Sequence, residues 1–566
     1  MRLRAALLST ALSIAVAGCG AASGGGDGGQ KRDAAQPPAP SSSTSPDPAA
    51  EAAKIAAGLP DVDLVGQLLM PFAYGNDAAK VSDGSRAGNQ KVGGVDTPAQ
   101  LVERYRLGGL ILVRRASGDA TAGTNPTSNI DSPAQVRTLT GGLQQAARKL
   151  PSRAPLLVGT DQEHGTVTRI RDGVTLLPSA MALGAATDPR LTEQASQVSA
   201  TELAALGINV DFAPDADVTG GPGNDVIGSR SFGANPALVG QRVAAAVRGY
   251  ERAGVAATLK HFPGHGHTSA DSHEELPVLR QSRSQLIARD VAPFSAGITA
   301  GASLVMTGHL DVQAVDPGVP ATLSRKVLVD LLRGQLRFKG VVVSDAMNMA
   351  AITKKYPAGE AAVRAVLAGN DILLMPPDLR AAQQGLLGAV RSGRLPRAQV
   401  VESATRILTL KTRLAATSQP AMSALNTPTN RARVGAAAAG AVTQFRGSCG
   451  GALIRQPVRV TGATGKHRDA LAAALRRNGM RVDASAGETI HLVGYGEGAK
   501  DLQPAGVTVA LDTPYVLSSA RSPVLLAAYS GVPLSLEAVA AVIAGKARAT
   551  GRSPVTVAGL PATACR

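Results

Sequence analysis

Four of the chain's eight histidines fall within fourteen residues, KHFPGHGHTSADSH, running from Lys260 to His273. Imidazole is the side chain whose ordinary pKa lies nearest neutrality, so this density suits metal binding or proton transfer. A solvated loop without chemistry is the third reading. As a metal frame the spacing is poor: His261 precedes His265 by four, and His265 and His267 alternate across Gly266. That pattern matches no standard zinc site, and Gly264 and Gly266 leave the loop unbraced. Far along the chain, Asp345 closes the apolar run GVVVSD. A carboxylate fixed at a strand end suits a nucleophile, and its bland alternative is a helix N-cap before AMNM.

Such residues need a scaffold that brings them together. Between about 60 and 415, short apolar runs alternate with helical stretches: GGLILV (108–113), PLLVGTD (155–161), INVDFAP (208–214), AATLKHF (256–262), SLVMTGH (303–309), GVVVSDA (340–346) and DILLMP (371–376). This alternation predicts a parallel sheet with helices outside it, and the count suggests a closed (β/α) barrel. Asp161, Asp211, Lys260, His261, His309 and Asp345 each sit at the C-terminal end of such a run. In a barrel those ends form one face, and that face carries the chemistry. After a polar linker at 416–435, VRVTGA, TIHLVGYG and GVTVALDTPYV alternate with helices and predict a smaller doubly wound α/β domain over 436–566.

KHFPGHGHTSADSHEELP resembles the signature of family three glycoside hydrolases, in particular their β-N-acetylhexosaminidase branch. GTDQEHGTVTRI, INVDFAPDADV, IGSRSFG and PATLSRKVLVDLLRGQLRFKGVVVSDAMNM follow the family's order, and LLAAYSGVPLSLEAVAAVIAGKARATGRSPVTV is similar to the second domain of two-domain members. The resemblance implies retaining hydrolysis, which needs a carboxylate below the sugar ring and a proton donor at the leaving oxygen. It gives the nucleophile to Asp345 and the acid–base to His273, assisted by Asp271. It gives sugar binding to Asp161, Arg169, Arg230, Lys260 and His261. The histidine cluster is then an acid–base site, with no metal and no organic cofactor implied. With no Trp in the chain, the sugar is held by hydrogen bonds, with Phe232 or Phe262 as packing. Four positions depart from the family pattern: His164 and Thr166 replace Gly and Arg, His267 stands where Asp is frequent, and Ala346 follows the nucleophile where a second Asp is common. The first pair is expected to reshape the pocket.

The expected substrate is a terminal GlcNAc on cell-wall fragments; a phosphorylase, a β-glucosidase of the same fold and an inactive wall-binding lipoprotein are the rivals. The net charge of +16 is spread along the chain without a basic run interleaved with aromatics, which argues against nucleic acid. MRLRAALLSTALSIAVAGCG reads as a signal peptide over residues 1–18, and VAGC resembles a lipobox that would lipidate Cys19. A Gly/Ser/Pro tether is expected to follow over 19–56, ahead of a catalytic domain at 57–415. The protein is thus expected outside the cell membrane, held by lipid. In an exported chain the remaining cysteines, Cys449 and Cys565, are expected to pair.

Overall fold

The computed structural model describes residues 47–115, 125–224, 226–268 and 275–565. Many of its helices begin with the same two-residue device. Asp47–Pro48, Thr97–Pro98, Ser132–Pro133, Asp188–Pro189, Asn235–Pro236 and Thr427–Pro428 each pair a capping side chain with proline at the first helical position. The cap oxygen satisfies an amide that the first turn leaves orphaned, and proline has no such amide to satisfy. Strong starts of this kind fix where each helix leaves the sheet.

All seven apolar runs contain a strand. Counting Leu69–Met70 as β1, the barrel strands are β2 (Gly109–Ile111), β3 (Leu157–Thr160), β4 (Val210–Asp211), β5 (Ala256–Phe262), β6 (Leu304–Thr307), β7 (Val341–Ser344) and β8 (Leu373–Leu374). Strands β2 to β7 form one parallel sheet in chain order, and β1 pairs in parallel with β8. Backbone bonds close the ring: Ser344 N donates to Ile372 O at 2.9 Å, and Ile111 N to Pro71 O at 3.0 Å. The sequence reading missed β1. Its two residues come straight after the helix Asp61–Gln67, so their apolar character reads as a continuation of that helix.

A second sheet holds β9 (Thr443–Arg446), β10 (Val458–Gly462), β11 (Glu488–Val493), β12 (Val507–Ala510) and β13 (Val524–Ala527). Its order is β9-β13-β12-β11-β10, with only β9 antiparallel. The helices Gly465–Arg477 and Pro533–Ile543 pack together over a core that includes Leu471, Leu475, Leu492, Val509, Leu526 and Val539. Phe445, Leu525, Ala527 and Tyr529 instead join Met181, Ala182 and Ala185 of the first domain in a shared cluster. A barrel followed by a smaller α/β sandwich is therefore the architecture.

Two expected linkers are shorter than read. Within 19–56, Pro48–Gly58 is a helix that packs on Arg397–Ala415 and buries Ala52 and Ala56. Within 416–435, a helix starts at Pro428. Alanine-rich, weakly amphipathic stretches carry little periodic signal, and their helicity comes from the neighbours they pack on. Cys449 and Cys565 are disulfide-bonded across 116 residues, with Cα atoms 5.6 Å apart. Among the described residues no helix is long and apolar enough to cross a membrane. Cys19 lies outside the described residues.

Candidate active site

The C-terminal ends of the barrel strands open on a cleft with about 590 Å³ of empty space. Asp161, Arg169, Arg230, Lys260, His261 and Asp345 all line it. Asp345 follows β7 directly and is half-buried; its Oδ1 accepts from the amide of Ala346 at 2.7 Å. Lys260 and His261 lie on β5, joined by a cis peptide bond. Asp161 follows β3, and its oxygens meet Lys260 Nζ at 3.0 Å and Arg169 Nη2 at 3.4 Å. Asp271 and His273 lie outside the described residues.

At the centre of this arrangement is Glu163, which the sequence reading did not single out. Lys260 Nζ lies 2.5 Å from Oε1, while Arg230 reaches Oε2 through Nε at 2.7 Å and Oε1 through Nη2 at 3.0 Å. Burial works to raise the Glu163 carboxyl, but the charges of Arg230 and Lys260 outweigh it and hold it below the usual carboxylate range. One carboxylate therefore fixes two of the expected sugar-binding cations. Lys260 has three donor protons and Glu163 and Asp161 engage two of them, which leaves one for a ligand.

Asp217 does similar work on the histidine segment. It accepts from His265 N at 2.6 Å and from His261 N at 3.2 Å, and lies 2.8 Å from His261 Nδ1. Burial alone would depress His261, but Asp217 and Asp215 raise its pKa above the ordinary value. His265 is buried and lines the cleft, its ring edge-on to His261 at 5.8 Å, which is not the setting of a solvated loop. Burial and the neighbouring His261 charge push it down to about 4, so it is neutral near pH 7. Asp215, beside Arg230 Nε at 3.2 Å, is raised to about 7 by burial and by the nearby Glu163 and Asp217 charges. Asp215, Asp217 and His261 offer ligand atoms within 4.8 Å of one another. Each already faces a charged or hydrogen-bonded partner, and the cationic Arg230 at this distance suits an ion-pair network better than a divalent ion.

Several expected roles are corrected. Phe232 and Phe262 are buried away from the cleft; Phe262 packs on Phe294 at 5.2 Å. The apolar wall comes from Ile111, Met306, Met349, Leu374 and Met375. Asp211 and His309 sit at strand ends but turn inward. Asp211 Oδ1 accepts from Gln162 N at 2.9 Å, and His309 bridges Thr322 Oγ1 at 2.8 Å and Ala346 O at 3.1 Å. His164, expected to reshape the pocket, points away from it at φ 69°. Its Nδ1 accepts from Leu177 N at 3.2 Å and its Nε2 lies 2.7 Å from Ser199 Oγ, a fully used neutral ring. Nor does Thr166 line the cleft. His267 Nδ1 lies 2.9 Å from Asp290 Oδ1, so this departure from the family pattern has a carboxylate partner of its own.

The model of the glycosyl hydrolase family 3 N-terminal domain matches residues 65–410. The β-hexosaminidase A of Pseudoalteromonas piscicida is 35% identical over 376 residues, covering 62% of this chain and 61% of that enzyme. A Stenotrophomonas maltophilia β-hexosaminidase is 42% identical over 256 residues, covering 44% of this chain and 73% of the relative. Among solved structures, a family 3 β-N-acetylglucosaminidase from Paenibacillus sp. str. FPU-7 superposes with a TM-score of 0.76 at 33% identity, over 88% of this chain and 99% of that one. That superposition spans both domains, and the family match encloses every strand of the barrel. With its cleft of carboxylates and cations at the strand ends, the chain belongs to glycosyl hydrolase family 3.

Proposed function

We propose that the protein is an exo-β-N-acetylglucosaminidase that removes terminal GlcNAc from cell-wall fragments outside the cell membrane, tethered through lipid on Cys19. The observation that carries the chemistry is Asp345: a half-buried carboxylate at the end of β7, facing a cleft whose cations are already occupied by other carboxylates. Asp161 and Glu163 hold Lys260, Arg169 and Arg230 in place around the ring, and Asp345 offers its carboxylate from the strand end to the anomeric carbon. Asp345 attacks that carbon and forms a glycosyl-enzyme, and water then releases the sugar with retained configuration. His273, assisted by Asp271, protonates the leaving oxygen and later takes a proton from water. Asp161, the spare proton of Lys260, Arg169, Arg230 and His261 hold the ring hydroxyls and the N-acetyl group. The β-hexosaminidase relatives and the β-N-acetylglucosaminidase structure support the sugar; the signal-like N-terminus supports the location.

The test pairs nitrophenyl β-GlcNAc and β-glucoside with a GlcNAc-terminated wall disaccharide, using wild type, Asp345→Asn and His273→Ala. Expected are preference for GlcNAc, no turnover by Asp345→Asn, and a loss of about 10²–10⁴-fold for His273→Ala on the disaccharide. The loss should be smaller on the nitrophenyl substrate, whose leaving group needs little protonation, with partial rescue by azide. Equal losses on both substrates without rescue would remove His273 from the acid–base role.

A further inference from the structure

Among the described residues the second domain contributes no side chain to the lining of the cleft, yet it grips the segment that presents Arg230. That segment is fastened on three sides. Behind it, Phe232 lies against the helix Ala180–Ala185: a Cβ on Gly184 would fall 1.8 Å from Phe232 O. The same helix is held by the second sheet through Phe445, Leu525, Ala527 and Tyr529, and Ser179 Oγ donates to Tyr529 O at 2.6 Å. Beside it runs the C-terminal tail. Pro554 O accepts from Ala234 N at 3.1 Å, and Arg552 N donates to Ala185 O at 2.9 Å. Gly233 has φ 152°, and a Cβ there would sit 2.7 Å from Pro554 O, so only glycine lets the tail come this close. In front, the buried Tyr515 hydroxyl turns toward Thr219, and Thr513 lies over Gly228.

The tail is itself held at its far end. Ala564 N donates to Gln444 O at 2.7 Å on β9, and Cys565 is bonded to Cys449. Contacts thus run from the disulfide, through the tail, to Ala234, four residues from Arg230. We propose that the second domain and its disulfide-fastened tail are the positioning device of the sugar site, holding Arg230 and its Glu163 partner in binding geometry. This rests on the assignment of Arg230 to sugar binding. The device acts on substrate affinity; Asp345, which directly follows β7, is carried by the barrel instead.

The test uses full-length wild type, Cys449→Ser/Cys565→Ser and Tyr515→Phe, each measured well below its melting temperature. Hydrogen exchange is followed on peptides covering 226–234, alongside KM and kcat on nitrophenyl β-GlcNAc. Expected is faster exchange in 226–234 with the barrel strands unchanged. KM should rise about fivefold to tenfold, equivalent to about 1–1.4 kcal/mol of sugar binding, with kcat within about twofold. Unchanged exchange in 226–234, with only a lower melting temperature, would overturn the proposal. So would exchange that accelerates across the whole barrel, since the tail would then be a general stabiliser. If 226–234 loosens as expected while wild type cleaves no GlcNAc glycoside, the brace stands and the sugar assignment falls.

Discussion

Replacing Glu163 by Gln keeps its volume and removes the charge that Lys260 and Arg230 share. At an effective dielectric near 20, a unit pair at about 3 Å is worth about 5 kcal/mol before desolvation is counted. Removing one partner of a buried pair typically costs about 3–5 kcal/mol, because the other charge is left behind. Here each cation keeps a second carboxylate: Lys260 has Asp161 at 3.0 Å, and Arg230 has Asp215 at 3.2 Å. The expected loss therefore falls at the low end, about 3 kcal/mol in urea denaturation at pH 7. The pH dependence has a definite sign. Glu163 is depressed in the fold, so its contribution is present above the ordinary Glu pKa of about 4.3 and is lost as pH falls toward the folded value. Wild type and variant should therefore begin to converge below about pH 4 and meet only as pH approaches the depressed folded value. Asp215 is raised partly by the Glu163 charge, so in the variant it should ionise at lower pH and take over Arg230. KM for nitrophenyl β-GlcNAc should rise about tenfold or more as the two cations lose their common brace, a change of about 1.4 kcal/mol. A stability loss below about 1 kcal/mol with unchanged KM would show that Asp161 and Asp215 suffice, and would refute the central role given to Glu163.

Other consequences are simpler to state. Because Asp215 is raised to about 7, the folded protein holds a proton there that the unfolded chain releases near pH 4; the Asp215 contribution should therefore fall from about pH 4 to 7, and the stability of wild type relative to Asp215→Asn should fall across that window. An Asp215→Asn stability curve parallel to wild type across this window would contradict the assignment. His164→Gly should cost about 1–3 kcal/mol through the lost bonds to Ser199 and Leu177 and the space left behind, with KM within about twofold. A large change in KM would restore His164 to the sugar pocket. Cys19→Ala should move the expressed protein from the membrane fraction to the soluble fraction, and quantitative retention on membranes would rule out lipidation as the anchor.

Sequence alone determined which chemistry-bearing residues stand at strand ends, because parallel buried strands are short apolar runs and polarity returns where each run leaves the sheet. Lys260, His261, Asp161 and Asp345 were legible in this way, as was the alternation that builds the barrel. The same rule was blind to direction. Asp211 and His309 stand at strand ends too, yet bond inward to Gln162, Thr322 and Ala346, since one residue of register decides which way a side chain faces. Glu163 and Asp217 had no periodic signal; their value lies in cations and amides supplied by segments tens of residues away, such as Lys260, Arg230 and His265. His164 looked like a change in the pocket because it lies beside binding residues in the chain, but at φ 69° the backbone turns it to Ser199. The apolar wall of methionines and leucines is likewise indistinguishable from core in the sequence, because only packing selects which faces stay open. The grip of the tail on Ala234 joins positions more than three hundred residues apart. Contacts at that separation follow from how two domains dock, and docking is a property of assembled surfaces that no local stretch of sequence contains.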